Sequence, residues 1–271
     1  MTKLLSAGAT DIGLSRANNE DAYCVMPEIG LFSVADGMGG AAAGEIASKY
    51  FIETARTVFG SANGARGNGE PGGPGAAISP EVPDYESLVE KVFTQASRLI
   101  AEHAVRHPHD EGMGCTADLL VIHQNAYVIG HVGDSRIYLL REGNLRQLTK
   151  DHSLVQLQVD NGTLTPEEAR AHPKKNILLQ VLGGGTGRAG NSAMSASGTV
   201  VPFDVLRGKV LEQDIFLLCS DGLTDMIEDA EIGEILVSHK SVQHKVLKLI
   251  EKALAAGGRD NVTVVLCEVA A

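Results

Sequence analysis

The sequence predicts an α+β fold in which antiparallel sheets are covered by helices. The β-type runs come in hairpin-like neighbours, and the helical runs are grouped in pairs rather than alternating one for one with strands. The chain has 271 residues, 44% of them hydrophobic and spread along its whole length, which is ample for a folded core.

The elements follow in order. Residues 4–13 and 22–36 read as strands around a polar turn at 15–21. Residues 41–58 have small and apolar residues on one side and Glu45, Lys49 and Glu53 on the other, the pattern of a helix. Residues 60–83, rich in Gly and Pro, read as a flexible loop because such a composition buries no core. A second long helix is predicted over 84–106. Hairpin strands are predicted at 119–121, 127–132 and 137–140, the last turning at Arg141–Glu142–Gly143–Asn144. Residues 151–176 are polar and helical in short pieces, with Thr165–Pro166–Glu167–Glu168 as a helix start. Residues 183–199 read as a mobile Gly/Ser/Ala loop, followed by strands at 200–206 and 214–219. Two helices near 229–238 and 241–255 and a closing strand, Val262–Val269, complete a single domain spanning 1–271.

Composition excludes several classes of function. The formal net charge of −11 repels phosphate backbones, and 4% aromatics with no Trp gives no base-stacking platform. Nucleic acid is therefore not an expected partner. The four cysteines (Cys24, Cys115, Cys219 and Cys267) form no C-x-x-C pair and read as buried thiols in a reducing compartment. Residues 1–9 lack the apolar segment of a signal peptide, and no stretch approaches the roughly 20 residues that span a bilayer. The expected location is cytoplasmic, with no membrane partner.

The informative feature is an Asp beside a Gly at the end of an apolar run. It occurs at Asp36–Gly37, Gly133–Asp134 and Asp221–Gly222, and in the opposite sense Asp260 precedes the run from Val262. One such pair is an ordinary turn signal. Three after strand-like runs, with Asp260–Asn261, point further. In an antiparallel sheet the end of one strand lies beside the start of its neighbour, so Asp36, Asp221 and Asp260 converge on one sheet edge. Gathered carboxylates repel unless a cation neutralises them, and an all-oxygen set without Cys or His suits Mg²⁺ or Mn²⁺ better than Zn²⁺. The neighbouring Gly lets the backbone turn and bring a carbonyl close to an ion.

Six motifs in order carry a resemblance: Arg16–Ala17–Asn18–Asn19–Glu20–Asp21, Asp36–Gly37–Met38–Gly39–Gly40, Gly112–Met113–Gly114–Cys115–Thr116, Gly133–Asp134–Ser135–Arg136, Ser220–Asp221–Gly222 and Gly258–Arg259–Asp260–Asn261. Together they resemble the bacterial branch of the PPM, or PP2C-like, metal-dependent protein serine/threonine phosphatases. The resemblance implies a four-layer α/β/β/α sandwich with two central antiparallel sheets. It implies two Mn²⁺ or Mg²⁺ ions bridged by Asp36, with the Gly37 carbonyl as a further ligand and Asp221 and Asp260 on the first ion. Glu20 is implied at the second ion through water, Asp134 with Asp221 at a third, weaker ion, and Arg16 as the phosphate clamp. Phosphoserine and phosphothreonine in proteins are then the substrates, hydrolysed by a metal-activated water, in signalling opposite a Ser/Thr kinase; the oligomeric state is open, with a monomer as the default expectation.

Some positions depart from that pattern. Met38 stands where eukaryotic relatives carry a His proposed as general acid, and a thioether donates no proton. His152 is the tempting substitute, although a solvent-exposed loop His is expected there. Cys115 stands where bacterial relatives usually have Thr, a change of packing rather than chemistry. Residues 151–176 resemble the flap beside the active site, with Asn176 near a third-metal position. Asp118 is read as a sheet-edge polar residue and Ser220 as a strand-end packing residue. A catalytically silent binding module on the same fold, or a hydrolase of small phosphoesters, are the competing functions; the intact Arg16, Glu20, Asp36, Asp221 and Asp260 oppose the first.

Overall fold

A computed structural model of the chain describes residues 3–39, 43–64, 84–184 and 202–270. Two antiparallel sheets lie face to face between two helical layers. The first holds β1 (Leu4–Asp11), β12 (Val262–Val269), β11 (Ile215–Cys219), β7 (Arg136–Arg141) and β8 (Asn144–Gln147), adjacent in that order. The second runs β10 (Asp204–Lys209), β6 (Ala126–Val132), β5 (Ala117–His123), β3 (Leu31–Met38), β4 (Gly114–Cys115) and β9 (Leu182–Gly183), with β2 (Asp21–Met26) on the other side of β3.

Three apolar clusters glue the four layers, and period-2 alternation explains how. On β11, Ile215, Leu217 and Cys219 face α6 (Asp229–Val237) and α7 (Val242–Ala255), while Phe216 and Leu218 face the other sheet. On β5, Ala117, Leu119 and Val121 face α1 (Ala43–Gly64) and α2 (Tyr85–Arg106), while Leu120 and Ile122 point between the sheets. Central strands buried on both faces need continuous apolar runs, which is how Phe216–Leu217–Leu218 reads in sequence.

The structure corrects several boundaries. Residues 22–36 are not one strand but the arms of the β2–β3 hairpin, turning through Pro27 and Gly30, with Gly30 at φ 70°. The first helix continues to Gly64, so 60–64 are helical; the rest of the expected loop, 65–83, lies outside the described residues. So does most of the 183–199 loop, whereas Gly183 pairs with Gly114 in β9–β4. The strand expected at 200–206 is β10, displaced to Asp204–Lys209. The turn at Arg141–Glu142–Gly143–Asn144 joins β7 to β8 as expected, with positive φ at Glu142 and Gly143. Within 151–176 lie α3 (Leu154–Asp160) and α4 (Pro166–Ala171); α4 starts with the capping box of Thr165 and Glu168 and Pro at its first position. No helix among the described residues is long and apolar enough to cross a membrane.

Candidate metal centre

β11 and β12 are antiparallel neighbours, pairing Cys219 with Val264. Asp221, just past the end of β11, therefore lies beside Asp260, just before the start of β12. Asp221 opens a one-turn helix, α5 (Asp221–Thr224), where the sequence suggested only a turn. Asp36 belongs to the other sheet. The acids thus converge across the sandwich rather than on one sheet edge, because the same ends of both sheets face each other. Asp134 follows β6 of the second sheet as the chain crosses to β7 of the first.

Glu20 and Gly37 are joined through the backbone, Gly37 N–H donating to the Glu20 carbonyl at 3.1 Å. Ser48 Oγ of α1 donates to the same carbonyl at 2.6 Å. A side chain at position 37 would place its Cβ 2.1 Å from the Gly44 carbonyl oxygen, so only glycine lets α1 start this close. Arg16 is half-exposed and its Nη2 pairs with Asp260 Oδ2 at 2.5 Å.

The electrostatics follow from this crowding. Burial, then Asp21, Asp221, Asp134 and Asp260, push the Asp36 carboxyl well above its ordinary range. Burial and Asp221 do the same to Asp134. Burial, with Asp225 and Asp260, raises Asp221 to about 7. Burial raises Glu20 also, against the lowering effect of Arg16.

Residues without an assigned role in sequence complete the site. Asp21, opposite Asp36 in the β2–β3 ladder, is buried; its Oδ2 accepts from Ser220 Oγ (2.8 Å) and Thr263 Oγ1 (2.6 Å). Burial raises its pKa to about 6. Ser220 is fully buried and serves Asp21, in keeping with a packing role and not a nucleophile's. Thr116 Oγ1 accepts from the Asp36 N–H at 2.9 Å. Asn261 donates to the carbonyls of Ile12 and Asn18, both at 2.9 Å, and accepts from Glu20 N–H at 2.8 Å. It ties the segment bearing Arg16 and Glu20 to the strand bearing Asp260. Asp21, Thr116, Ser220 and Asn261 stand within the quoted motifs, whereas Thr263, inside the apolar run of β12, carried no signal in the sequence.

The donor set suits a hard cation. The Asp21 and Asp221 Oδ1 atoms are buried without a hydrogen-bond partner, and the surrounding donors are oxygens. Cys115 pairs with Gly37 across β4–β3, but burial pushes its thiol far up, which suits packing and not ligation. Among the described residues no three His, Cys, Asp or Glu side chains form a ready-made cage.

Beside these acids a cavity of about 480 Å³ lies between residues 151–176 and α5–α6, lined by Asp134, Asn176 and Asp221 among others. This segment is held against α5 and Ile227 by Lys175–Asp225 (2.5 Å) and by Arg170 Nη2 donating to the Ile227 carbonyl (2.9 Å). Arg136 of the Gly133–Asp134–Ser135–Arg136 motif forms a two-point ion pair with Asp151 at the start of the 151–176 segment (2.9 and 2.7 Å).

Two expectations fail here. Asp118 is not at a sheet edge: β5 lies between β3 and β6, and Asp118 is fully buried. His152 is not a solvent-exposed loop residue: its side chain is only 12% exposed, its Nδ1 accepts from Gly133 N–H and its Nε2 faces Asp204. Burial, and then His131, lower its pKa. Met38 is partly exposed at the end of β3.

Known proteins share this architecture and sequence. The family described as protein phosphatase 2C matches residues 15–256. The serine/threonine protein phosphatase PstP of Mycobacterium tuberculosis is 38% identical over 263 residues, 97% of this chain; the chain spans 44% of that relative's length. The serine/threonine phosphatase stp of Listeria innocua is 36% identical over 262 residues, covering 96% of this chain and 93% of the relative. The crystal structure of the PstP catalytic domain in complex with two manganese ions superposes with a TM-score of 0.80 at 35% identity, covering 99% of both chains. Staphylococcus aureus Stp1 gives a TM-score of 0.81 at 29% identity, covering 100% of this chain and 96% of that one. On sequence, on fold and on the motifs gathered at one end of the sandwich, the chain belongs to the protein phosphatase 2C family.

Proposed function

We propose that the chain is a metal-dependent protein serine/threonine phosphatase, acting as one catalytic unit over residues 1–271. The observation that carries this reading is the convergence of Asp36, Asp221 and Asp260 from two sheets beside one guanidinium, Arg16. Asp36, Asp221 and Asp260 would hold a first Mn²⁺ or Mg²⁺, and Asp36, the Gly37 carbonyl and, through water, Glu20 a second. Asp134 with Asp221 would hold a third, weaker one. When bound, such ions lower the pKa of water and stabilise charge on the entering and leaving oxygens.

The chain's own residues supply the rest. Arg16 presents a planar fork that fits two oxygens of a phosphoryl group and orients it against the acids. Asp21, fixed by Ser220 and Thr263, offers a buried acceptor beneath Asp36. Neither Met38 nor His152 supplies the proton for the leaving alcohol: one has none to give, the other is engaged with Gly133 and Asp204. The physiological substrates are phosphoserine and phosphothreonine proteins, opposite a Ser/Thr kinase. A cytoplasmic monomer is the simplest state consistent with an acidic chain of this size.

The test is hydrolysis of p-nitrophenyl phosphate and of a phosphothreonine peptide, with EDTA and after restoring Mn²⁺ or Mg²⁺. The expected result is turnover that EDTA abolishes and either ion restores. Equal or better kcat/KM on free phosphometabolites than on the peptide would replace the protein-phosphatase reading with that of a small-phosphoester hydrolase.

A further inference from the structure

Asp118 and His131 are register partners on β5 and β6, sharing the sheet face of Leu120 and Ile129 that looks into the space between the two sheets. Both side chains are fully buried, and His131 Nδ1 lies 2.7 Å from Asp118 Oδ1. His131 Nε2 lies 2.9 Å from the Lys150 carbonyl oxygen. A carbonyl only accepts, so Nε2 carries a hydrogen and Nδ1 is left to Asp118. Such a pair is costly to bury, and Asp118 Oδ2 has no hydrogen-bond partner. An apolar pair of similar volume would pack there without that cost, so stability alone does not account for it.

What the pair holds is the root of the flap. Lys150 is followed by Asp151 and His152. The His152 N–H donates to the Gly133 carbonyl (2.7 Å), its ring accepts from Gly133 N–H (3.2 Å), and its carbonyl accepts from Leu179 N–H (2.7 Å) where the chain leaves the flap. The His131 and His152 rings are 4.8 Å apart. Gly133 sits at φ 112°, and a Cβ there would come within 2.6 Å of Thr116. Asp134 follows directly. Entry, exit and base of the flap thus all meet at His152 and Gly133, and the His131–Lys150 bond fixes that junction to β6, an interior strand of the sheet.

We propose that Asp118 and His131 form a buried positioning unit that sets the flap over the metal edge through the His131–Lys150 tether, and so governs recognition of protein substrates rather than the hydrolytic step. The inference rests on the phosphatase reading above. A peptide chain is long enough to touch the flap, whereas p-nitrophenyl phosphate needs only the acids and Arg16. Misplacing a positioning element slows the substrate that depends on it and spares the other.

The experiment compares two double variants in the full chain. Asp118→Leu with His131→Leu removes the buried acid and cuts the tether; Asp118→Leu with His131→Gln removes the acid but keeps an N–H within reach of Lys150. The Leu–Leu variant should raise KM for a phosphothreonine protein about tenfold, with kcat and both constants for p-nitrophenyl phosphate within about twofold of wild type. It should also speed amide exchange at His152 and Leu179. The Leu–Gln variant should restore both the KM and the slow exchange. Unchanged protein-substrate KM in the Leu–Leu variant, or an equal loss on both substrates, overturns the inference. Should the Leu–Leu variant fail to fold, His131→Asn, which still reaches Asp118 but not Lys150, carries the same expectation. A wild-type chain that hydrolyses neither substrate with Mn²⁺ sinks the phosphatase reading, and the exchange measurement then decides the tether by itself.

Discussion

β11 carries an aspartate at each end, and the two have opposite fates. Asp214, before its first residue, is 1% exposed and fully partnered: Arg141 donates to it through Nε (2.8 Å) and Nη2 (2.7 Å), and Leu211 N–H donates at 2.8 Å. Asp221, past its last residue, has one buried oxygen without a partner, and burial, with Asp225 and Asp260 beside it, raises its pKa to about 7. One strand of five residues separates an acid whose partners the fold supplies from an acid left without them. The lesson is that partner supply and not burial marks the functional end: where the fold wanted a stable buried carboxylate it provided a guanidinium and a backbone donor.

Exchanging each acid for its amide should break the comparison in opposite directions. Asp221→Asn is the larger effect: metal-dependent turnover should fall about a thousandfold, on the scale of removing a core catalytic group. Its metal-free Tm should not fall, since a repelling charge is removed. Turnover within tenfold of wild type would refute the site assignment. Arg16→Ala should act next, raising KM for phosphosubstrates about tenfold with a smaller change in kcat, because it removes binding. A change confined to kcat would put Arg16 on the chemical step instead.

Asp214→Asn should spare kcat and KM yet destabilise the fold by about 2 kcal/mol, as expected when a buried charge-assisted pair loses its charge and Arg141 keeps part of its access to water. Urea denaturation measures it; an unchanged midpoint would mean the pair contributes nothing. The smallest effect is a pH trend. The carboxyls of Asp21, Asp36, Asp134 and Asp221 have raised pKa values, so the folded metal-free chain binds more protons than the unfolded one, and its stability should fall as pH rises from about 4 to about 7. Mn²⁺ should flatten or reverse that slope. A metal-free Tm that rises over the same window would contradict the shifts.

Much of the site was legible because its signals are local. An Asp beside a Gly at the end of an apolar run reports strand end and carboxylate at once, and Asp134 and Asp221 stand just past their strands as that signal put them, whereas Asp36–Gly37 lies inside β3, which runs on to Met38 because Gly37 and Met38 pair with Cys115 and Gly114 of β4. Residues that act through others carried no such mark. Asp118 interrupts an apolar strand with one charge and reads as an edge residue; only the neighbouring strands on both sides show it to be central. His152 reads as a loop residue because its burial comes from His131, Gly133 and Asp204, all distant in sequence. The β2–β3 hairpin was missed because apolar residues run through both arms, and the turn at Pro27–Gly30 is the only break.

The sequence by itself determined the periodicity of the strands and helices, the caps such as Thr165–Glu168, and the chemistry available, because each depends on residues within a few positions of one another. Tertiary structure decided which acids meet. Asp36 and Asp221 lie in different sheets, and only the packing of Phe32 and Val34 against Phe216 and Leu218 sets their strands face to face. It also decided which acid is satisfied and which is left without a partner, because a partner such as Arg141 for Asp214, 73 residues away, is supplied by the fold and not by the neighbouring chain.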